Sequence, residues 1–203
     1  MYRFIESIRY GQGRMPLLSL HQQRFELTQR AAFGAVLHPP LEQIICKEAA
    51  NISFAEDTVY KCRVVYSLSQ IDITFEKYAR KVIERLRIKI DDTIDYSYKY
   101  EDRSKINKHL TNVKENEDIL IVKKNLLTDS SFANIALYDG VRWFTPKYAL
   151  LEGVQRRHLL STGKIFTKDI YMKDLPKFEK IKLFNALVNW EEAWQLNISD
   201  ILL

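Results

Sequence analysis

The spacing of the apolar residues changes near residue 58, and this change constrains the possible folds more than any other feature of the sequence. Before it, "SLHQQRFELTQRAAFG" (19–34) and "PPLEQIICKEAANI" (39–52) carry apolar residues at helical spacing. We expect Ser19 to cap the first helix and Gly34 to end it. After residue 58, apolar and polar residues alternate, which is typical of half-buried strands. The pattern therefore predicts an α+β fold.

The alternation runs through three segments, which are "TVYKCRVVYSL" (58–68), "IDITFEKY" (71–78) and "ERLRIKID" (84–91). Residues 1 to about 90 are thus predicted to form a small α+β unit. A division near residue 95 gives a small domain over residues 1–95 and a larger one over 96–203. Ligand sites often form where two domains meet, and Lys99 lies close to this division.

The second half of the sequence is rich in predicted strands. A short helical stretch (104–114) precedes "DILIVKKNLLTDSSFANIALYDGVRWFTP" (118–146), which reads as three strands. The last two are joined by Asp139-Gly140, a dipeptide suited to a tight hairpin turn. Further along, we expect a helix that ends at Gly163, two more strands and an amphipathic tail, in "EGVQRRHLLSTG" (152–163), "KIFTKDIYM" (164–172), "KIKLFNAL" (180–187) and "WEEAWQL" (190–196).

Composition narrows the class of protein. With 203 residues and 46% apolar residues, the chain can build a substantial core. Its net charge of +5 is spread along the chain, which favours anionic ligands without the basic stripe of a dedicated nucleic-acid binder. The start of the chain has Glu6 where a leader needs apolar residues, and the longest apolar runs, such as "ILIV" (119–122), fall far below the ~20 residues of a membrane span. We expect a cytoplasmic protein with reduced Cys46 and Cys62.

Lys99 lies in "YSYKYEDRSKINKHL" (96–110), between two tyrosines. Partial burial lowers the pKa of a lysine and allows its amine to form an imine with a carbonyl compound. Two other interpretations stay open at this point. The side chain is a solvated surface lysine, or the tyrosines and the cation form a stacking platform for single-stranded nucleic acid.

Two further features could bind charged groups. Gly153 stands where a loop enters a helix, so the amides of Val154 and Gln155 would point toward a bound anion such as a phosphate. The alternative is that Gly153 relieves a tight turn. Asp129, in "TDSSFANI" (128–135), could meet a cation, although Asp-Ser-Ser is also common in solvated turns.

The order of these motifs resembles the class IV aminotransferases. The segments in question are "IESIRYGQGRMPLLSLHQQRFELT" (5–28), Lys99, "LLTDSSFANIALYDGVRWFTP" (126–146), "LLEGVQRRHLL" (150–160) and "LFNAL" (183–187). This family of pyridoxal-phosphate (PLP) enzymes includes branched-chain and D-amino-acid aminotransferases and 4-amino-4-deoxychorismate lyase. The resemblance spans nearly the whole chain, and it implies the fold-type IV architecture.

The resemblance assigns roles to five positions. Lys99 matches the lysine that attaches the cofactor covalently and carries the substrate Cα proton. Arg24, in "HQQRF", matches the arginine that binds the cofactor phosphate, and Val154 and Gln155, after Gly153, match the backbone phosphate site. Asp129 matches a glutamate that protonates the pyridine nitrogen, and its side chain is shorter by one methylene.

The remaining motifs bear on the reaction. Asn185 and Ala186 match the last cofactor-side loop in the form seen in the lyase, and Arg103 resembles an arginine of the lyase that could hold a substrate carboxylate. The first expectation is therefore a 4-amino-4-deoxychorismate lyase, which makes 4-aminobenzoate and pyruvate for folate synthesis. A branched-chain or D-amino-acid aminotransferase is the alternative, and a degenerate family member without activity is a further one.

Departures from the family and the remaining expectations are few. The family usually carries a Gly-Asp-Gly segment before the first motif, so the N-terminal domain is expected to be shortened. Members are commonly homodimers, and the resemblance implies the same here. No metal is expected, because the histidines, at 21, 38, 109 and 158, lack ligand spacing.

Overall fold

The computed structural model describes residues 2–202, and these form two compact units. The first unit comprises the residues up to 79 together with 98–102, and the second comprises 80–97 and the residues from 103 on. Each unit thus consists of two separate stretches of the chain, whereas the predicted domains are divided at a single point near residue 95. The segment that carries Lys99 belongs to the first unit.

The first unit is a three-stranded antiparallel sheet with two helices. Strand β2 lies between β1 and β3, with Phe4 opposite Tyr66 and Tyr66 opposite Ile71. The outer edge of β1 is met by a single bridge from Tyr100 to Phe4. The elements are β1 (Phe4–Tyr10), α1 (Leu18–Phe33), α2 (Leu41–Ala49), β2 (Tyr60–Tyr66) and β3 (Ile71–Lys77).

The ends of helix α1 confirm one expectation and correct another. Gly34 ends the helix with φ 82°, a left-handed conformation that glycine adopts without strain. The predicted cap at Ser19 is wrong, because Leu17 occupies the N-cap position with φ 63°. The chain turns back at Met15, whose carbonyl accepts the Leu18 amide at 3.3 Å, so the helix begins before Ser19.

The core of the first unit joins the sheet to both helices. Phe25 from α1 and Leu41 and Ile45 from α2 are fully buried against Ile8 and Val64. Each such side chain contributes ~1.5–3 kcal/mol of transfer free energy. These apolar contacts hold α1 against the buried face of β1. They therefore also fix the positions of the polar residues of α1 and β1 that lie between them.

The second unit contains a nine-stranded sheet. Its main path runs β11-β10-β7-β6-β5-β4-β12, and β8 joins β7 to β9. Strand β4 is parallel to β5 and β12, and β8 is parallel to β9. The elements are β4 (Arg85–Ile90), α3 (Ser104–Asn107), β5 (Glu117–Lys123), β6 (Leu126–Ser130), β7 (Asn134–Tyr138), β8 (Trp143–Pro146), α4 (Val154–Ser161), β9 (Phe166–Lys168), β10 (Lys180–Phe184), β11 (Trp194–Asn197) and β12 (Ile201–Leu202).

Residues 118–146 contain four strands rather than the predicted three. Lys124 and Asn125 both have positive φ angles, 52° and 64°, and make the tight turn between β5 and β6. The Asp139-Gly140 turn is confirmed, with Gly140 at φ 93° and Tyr138 paired with Trp143. The mixture of helices and strands in both units confirms the α+β class.

Candidate functional site

Strands β6, β7 and β10 bring several predicted site residues to one end of the second unit's sheet. Asp129 pairs with Asn134 across β6 and β7, and Asn134 pairs with Phe184 across β7 and β10. Asn185 and Ala186 follow Phe184 directly. Residues that are far apart in the sequence are therefore neighbours at this sheet end.

Asp129 is a buried carboxylate, only 5% exposed. Its Oδ1 accepts a hydrogen bond from Asn134 Nδ2 at 2.8 Å, and its Oδ2 accepts one from the Leu151 amide at 2.9 Å. Burial is the largest influence on this group and raises its pKa to about 6, which exceeds the lowering by these neutral donors and by the Arg156 charge. A solvated turn is thus the wrong interpretation of Asp129.

Gly153 precedes helix α4 in ordinary extended conformation, with φ −70° and ψ 142°. A tight turn therefore does not explain this glycine. The reason is a close approach, because a Cβ at position 153 would lie 1.8 Å from Asn134 Oδ1. Asn134 Nδ2 also donates to the Leu151 carbonyl at 2.9 Å, so one amide side chain links Asp129 to the start of α4.

Helix α4 presents its first-turn amides without a side-chain cap among the residues that the structure describes. Val154 and Gln155 open this helix, and amides at such positions have no acceptor within the helix. Leu159 packs with Ala136 and Phe184 in one core cluster, which places α4 against β7 and β10. The helix start therefore lies next to Asn134 with amides that are available to an acceptor, and phosphate binding there stays a prediction.

Arg156 adds a buried cation to the same region. It is 3% exposed, and its guanidinium donates to Glu152 at 2.7 Å and to the Pro146 carbonyl at 2.9 Å. Its charge also lowers the pKa of Asp129 in part. Arg156 could not be recognised from the sequence, since it is one of several charges on a predicted helix.

Asn185 shapes the loop after β10 with its own side chain. Its Oδ1 accepts the Leu187 amide at 2.9 Å, and its carbonyl accepts the Val188 amide at 3.4 Å. This Asx turn fixes the backbone around Ala186. The side chain of Asn185 therefore has a local structural role, and cofactor binding by this loop stays a prediction.

Arg103 lies near the turn that follows Asp129. Its guanidinium donates to the Ser131 carbonyl at 2.6 Å, and the Ser131 amide donates to Asp118 at 3.2 Å. Asp118 is buried on β5, and burial raises its pKa. Ser131 is thus held by an arginine and by an acid. Substrate binding by Arg103 stays a prediction.

Lys99 and Arg24 belong to the first unit. The Lys99 carbonyl accepts the Ile5 amide at 2.9 Å, which attaches this segment to the edge of β1. The Lys99 side chain is half-buried, and its charge acts on His21, where it lowers the pKa. Lys99 is thus not a fully solvated surface lysine.

Glu6, His21 and Arg24 form a buried polar network next to that segment. Arg24 donates from Nε to Glu6 Oε1 at 2.8 Å and from Nη2 to Oε2 at 2.6 Å, and His21 Nδ1 lies 2.6 Å from the same Oε2. Burial alone would raise the pKa of Glu6. Arg24 and His21 more than offset it and hold the pKa at about 2. Glu6 is therefore a permanent anion at neutral pH.

Neither Glu6 nor Asn134 was predicted from the sequence as a site residue. For Glu6 a signal exists, because this acid shares the face of β1 with Phe4, Ile8 and Tyr10, where an unpaired charge would be costly. Its partners, His21 and Arg24, are three residues apart and so share one face of α1. Asn134 gives no comparable signal, since its role depends on the approach of Gly153.

The chain is similar to one known protein family and to several known proteins. The amino-transferase class IV family model matches residues 3–192. A Haemophilus influenzae protein of unassigned function is 33% identical over 189 residues, which cover 92% of this chain and 98% of that protein. A crystal structure from Haemophilus somnus, named provisionally as a 4-amino-4-deoxychorismate lyase, has a TM-score of 0.84 and 32% identity over 92% of this chain and 97% of its own.

A more distant structure shares the fold. A Brucella abortus aminotransferase bound to the cofactor PLP has a TM-score of 0.70 and 16% identity, over 91% of this chain and 78% of its own. Among residues 2–202, no helix has the length and apolar character that a membrane span requires. The family match over nearly the whole chain and the fold-type IV architecture agree, and the chain belongs to the class IV amino-transferase family.

Proposed function

We propose that this protein is a PLP-dependent enzyme that cleaves 4-amino-4-deoxychorismate into 4-aminobenzoate and pyruvate. The observation that carries the proposal is the 32% identity, over 92% of the chain, to the Haemophilus somnus structure that bears this name. The "FNAL" loop at Asn185 and Ala186 and the arginine at position 103 support the lyase over the aminotransferases of the family.

The second unit has the donors and acceptors that such a cofactor needs. The first-turn amides at Val154 and Gln155 suit a phosphate monoester. Asp129 is a buried carboxylate whose two hydrogen bonds, from Asn134 and Leu151, come from neutral groups. A protonated pyridine nitrogen would supply the cation that this carboxylate lacks at close range, and would lower its pKa again. The residues present therefore fit the cofactor.

When bound, the cofactor would supply an electron-withdrawing ring that weakens the Cα–H bond of an amino substrate. Lys99 would hold the cofactor covalently through Nζ. Once the amino group of the substrate had taken the place of Nζ in this bond, the Lys99 amine would be free to accept the Cα proton. Asp129 would keep a proton on the pyridine nitrogen by remaining ionised next to it. Arg24 and the amides at Val154 and Gln155 would bind the phosphate, which fixes the orientation of the ring.

Arg103 is proposed to attract a substrate carboxylate. Its contact with the Ser131 carbonyl orients the guanidinium without neutralising it, because a carbonyl carries no net charge. The family's glutamate at position 129 is an aspartate here, and Asn134 and the Leu151 amide hold this shorter side chain in one place. We further propose that the protein is a homodimer, because members of the family are commonly homodimers.

The test is a direct assay with two arms. The purified protein, loaded with PLP, receives 4-amino-4-deoxychorismate, and 4-aminobenzoate is measured by fluorescence. In parallel, D- and L-amino acids are supplied with 2-oxoglutarate, and keto-acid formation is followed. Release of 4-aminobenzoate supports the lyase. No product in the first arm with turnover in the second would assign an aminotransferase instead.

A further inference from the structure

Three side chains of the first unit form a chain of polar contacts that leads from the interior to the surface. The side chains of His21 and Glu6 are 0% and 1% exposed, whereas 13% of the Arg24 side chain is exposed. His21 contacts Glu6, and Glu6 binds Arg24 with both carboxylate oxygens. Of the three, Arg24 is therefore the member that an external anion can reach.

We propose that Glu6 and His21 are positioning residues that orient Arg24 toward a phosphate monoester; this inference rests on the function proposed above. A guanidinium is planar and directs its five N–H groups in fixed directions. Two parallel hydrogen bonds from Nε and Nη2 to one carboxylate fix that plane. The donors on the opposite edge then point away from Glu6 in a defined direction.

His21 supplies the third point of support. Because Glu6 is ionised and only accepts hydrogen bonds, the proton at their 2.6 Å contact lies on His21 Nδ1. Burial lowers the pKa of His21, so the imidazole is neutral at physiological pH. Within residues 2–202, its Nε2 is buried without a hydrogen-bond partner. The bond to Glu6 is thus the polar interaction that the ring contributes.

The charges of the network determine how it would act on an anion. The negative charge of Glu6 offsets the positive charge of Arg24, and neutral His21 adds none. The phosphate would therefore gain more from correctly directed N–H groups than from excess positive charge. Loss of Glu6 or His21 should consequently weaken recognition of the phosphate group in particular, while contacts to the rest of the ligand persist.

The experiment compares two ligands that differ only in the phosphate. Dissociation constants of PLP and of pyridoxal are measured for the full chain by absorbance titration. The variants are Glu6→Gln, His21→Leu and His21→Asn, in which the amide N–H takes the approximate place of Nδ1–H. The matched control is Glu26→Gln, because Glu26 pairs with Arg30 at 2.9 Å on the same helix at a more exposed position. Thermal unfolding verifies that each variant is folded.

We expect wild type to prefer PLP over pyridoxal, and Glu6→Gln and His21→Leu to reduce this preference by about tenfold to a hundredfold. His21→Asn should restore most of it, and Glu26→Gln should leave it unchanged. A folded Glu6→Gln variant with the wild-type preference would overturn the inference, as would an equal loss for both ligands. If Glu6→Gln does not fold, the two His21 variants decide by the same criterion. Wild type that binds neither ligand would instead refute the proposed function.

Discussion

Glu6 and Asp129 are both buried carboxylates, yet their pKa values lie on opposite sides of the ordinary range. Glu6 has a pKa of about 2, and Asp129 has one of about 6. The difference lies in their partners, since Glu6 forms a two-point ion pair with Arg24, whereas Asn134 and the Leu151 amide bind Asp129 through neutral donors. Burial without a cation at contact distance leaves a carboxylate that favours its proton or a cationic ligand.

This comparison separates two roles within one proposed function. In the first unit, Glu6 already has its cation, because it forms an ion pair with Arg24. Its proposed role is to orient that arginine. In the second unit, the neighbours of Asp129 compensate its negative charge only in part. We expect this of a carboxylate that binds a cationic ligand. Stability should therefore respond in opposite ways when the two carboxylates lose their charge: neutralising Glu6 removes a favourable ion pair, whereas neutralising Asp129 removes a buried charge without a cation at contact distance.

The largest effect is expected from Arg24→Gln. Removing the guanidinium leaves Glu6 buried without its cation, which should lower the free energy of unfolding at pH 7 by about 3–5 kcal/mol. The loss should shrink below pH 5, where Glu6 can take up a proton. Urea denaturation measures both values.

Arg30→Gln is the matched control, because Arg30 forms its ion pair with Glu26 on the exposed side of the same helix. We expect a change of at most about 1 kcal/mol there. Equal losses for the two arginine variants would show that the Glu6–Arg24 pair is not the special feature of the first unit.

The second largest effect concerns pH. Because the pKa of Asp129 is raised from 3.8 to about 6 on folding, the folded state retains its proton longer than the unfolded state. Stability should thus fall as pH rises from 4 to 6, by about 3 kcal/mol for this group. Asp129→Asn lacks this loss, so it should gain about 3 kcal/mol relative to wild type between pH 4 and 7.

Glu6 contributes with the opposite sign. Its pKa is lowered from 4.5 to about 2, so its stabilisation is present above pH 4.5 and is lost as pH falls toward 2. This contribution of Glu6 is the same in wild type and in Asp129→Asn, so it cancels when the unfolding free energies of the two proteins are subtracted. Parallel stability profiles of these two proteins in urea at pH 4–7 would contradict the assignment of a raised pKa to Asp129.

A smaller effect should follow Gly153→Ala. The added Cβ would overlap Asn134 Oδ1, so Asn134 must move and its hydrogen bond to Asp129 is weakened. We expect a loss of about 1–3 kcal/mol in unfolding free energy and weaker binding of PLP. The control is Gly11→Ala, where the Cβ would lie at an ordinary 3.5 Å from the Thr58 carbonyl. A Gly153→Ala variant as stable as the control would show that this close approach is not needed.

The smallest expected change is that of Asn185→Ala. It removes the acceptor for the Leu187 amide and should cost about 1 kcal/mol. Asn185→Asp retains an acceptor oxygen and should recover most of the loss in the same thermal unfolding assay. If both variants behave like wild type, the Asx turn after β10 is dispensable.

Helices and strands with a regular spacing of apolar residues could be predicted from the sequence. Elements that depend on tertiary contacts could not. Helices α1 and α2 and strands β2, β3 and β4 follow from apolar spacing. Strand β1 was not assigned, because the charges at Glu6 and Arg9 interrupt its apolar residues. The tail at 190–196 was predicted as amphipathic but forms strand β11 from Trp194, since its pairing with β10 is a tertiary contact.

The candidate site shows the same division. The resemblance to the family made Lys99, Arg24 and Asp129 candidates by motif, and local sequence alone made Val154 and Gln155 candidates as the start of a helix. The partners that set the properties of these residues could not be predicted. Glu6 lies fifteen residues from His21, and Asn134 lies far from Gly153 in the sequence, so both contacts arise from packing.

The whole proposed function depends on a covalent bond between Lys99 and PLP. The most direct measurement is borohydride reduction of the purified protein with PLP, followed by peptide mass spectrometry, with Lys99→Ala alongside. We expect a visible absorption band that reduction abolishes, and one phosphopyridoxyl group on the peptide that contains Lys99. A label on another lysine, or an unchanged visible band and label in Lys99→Ala, would contradict it.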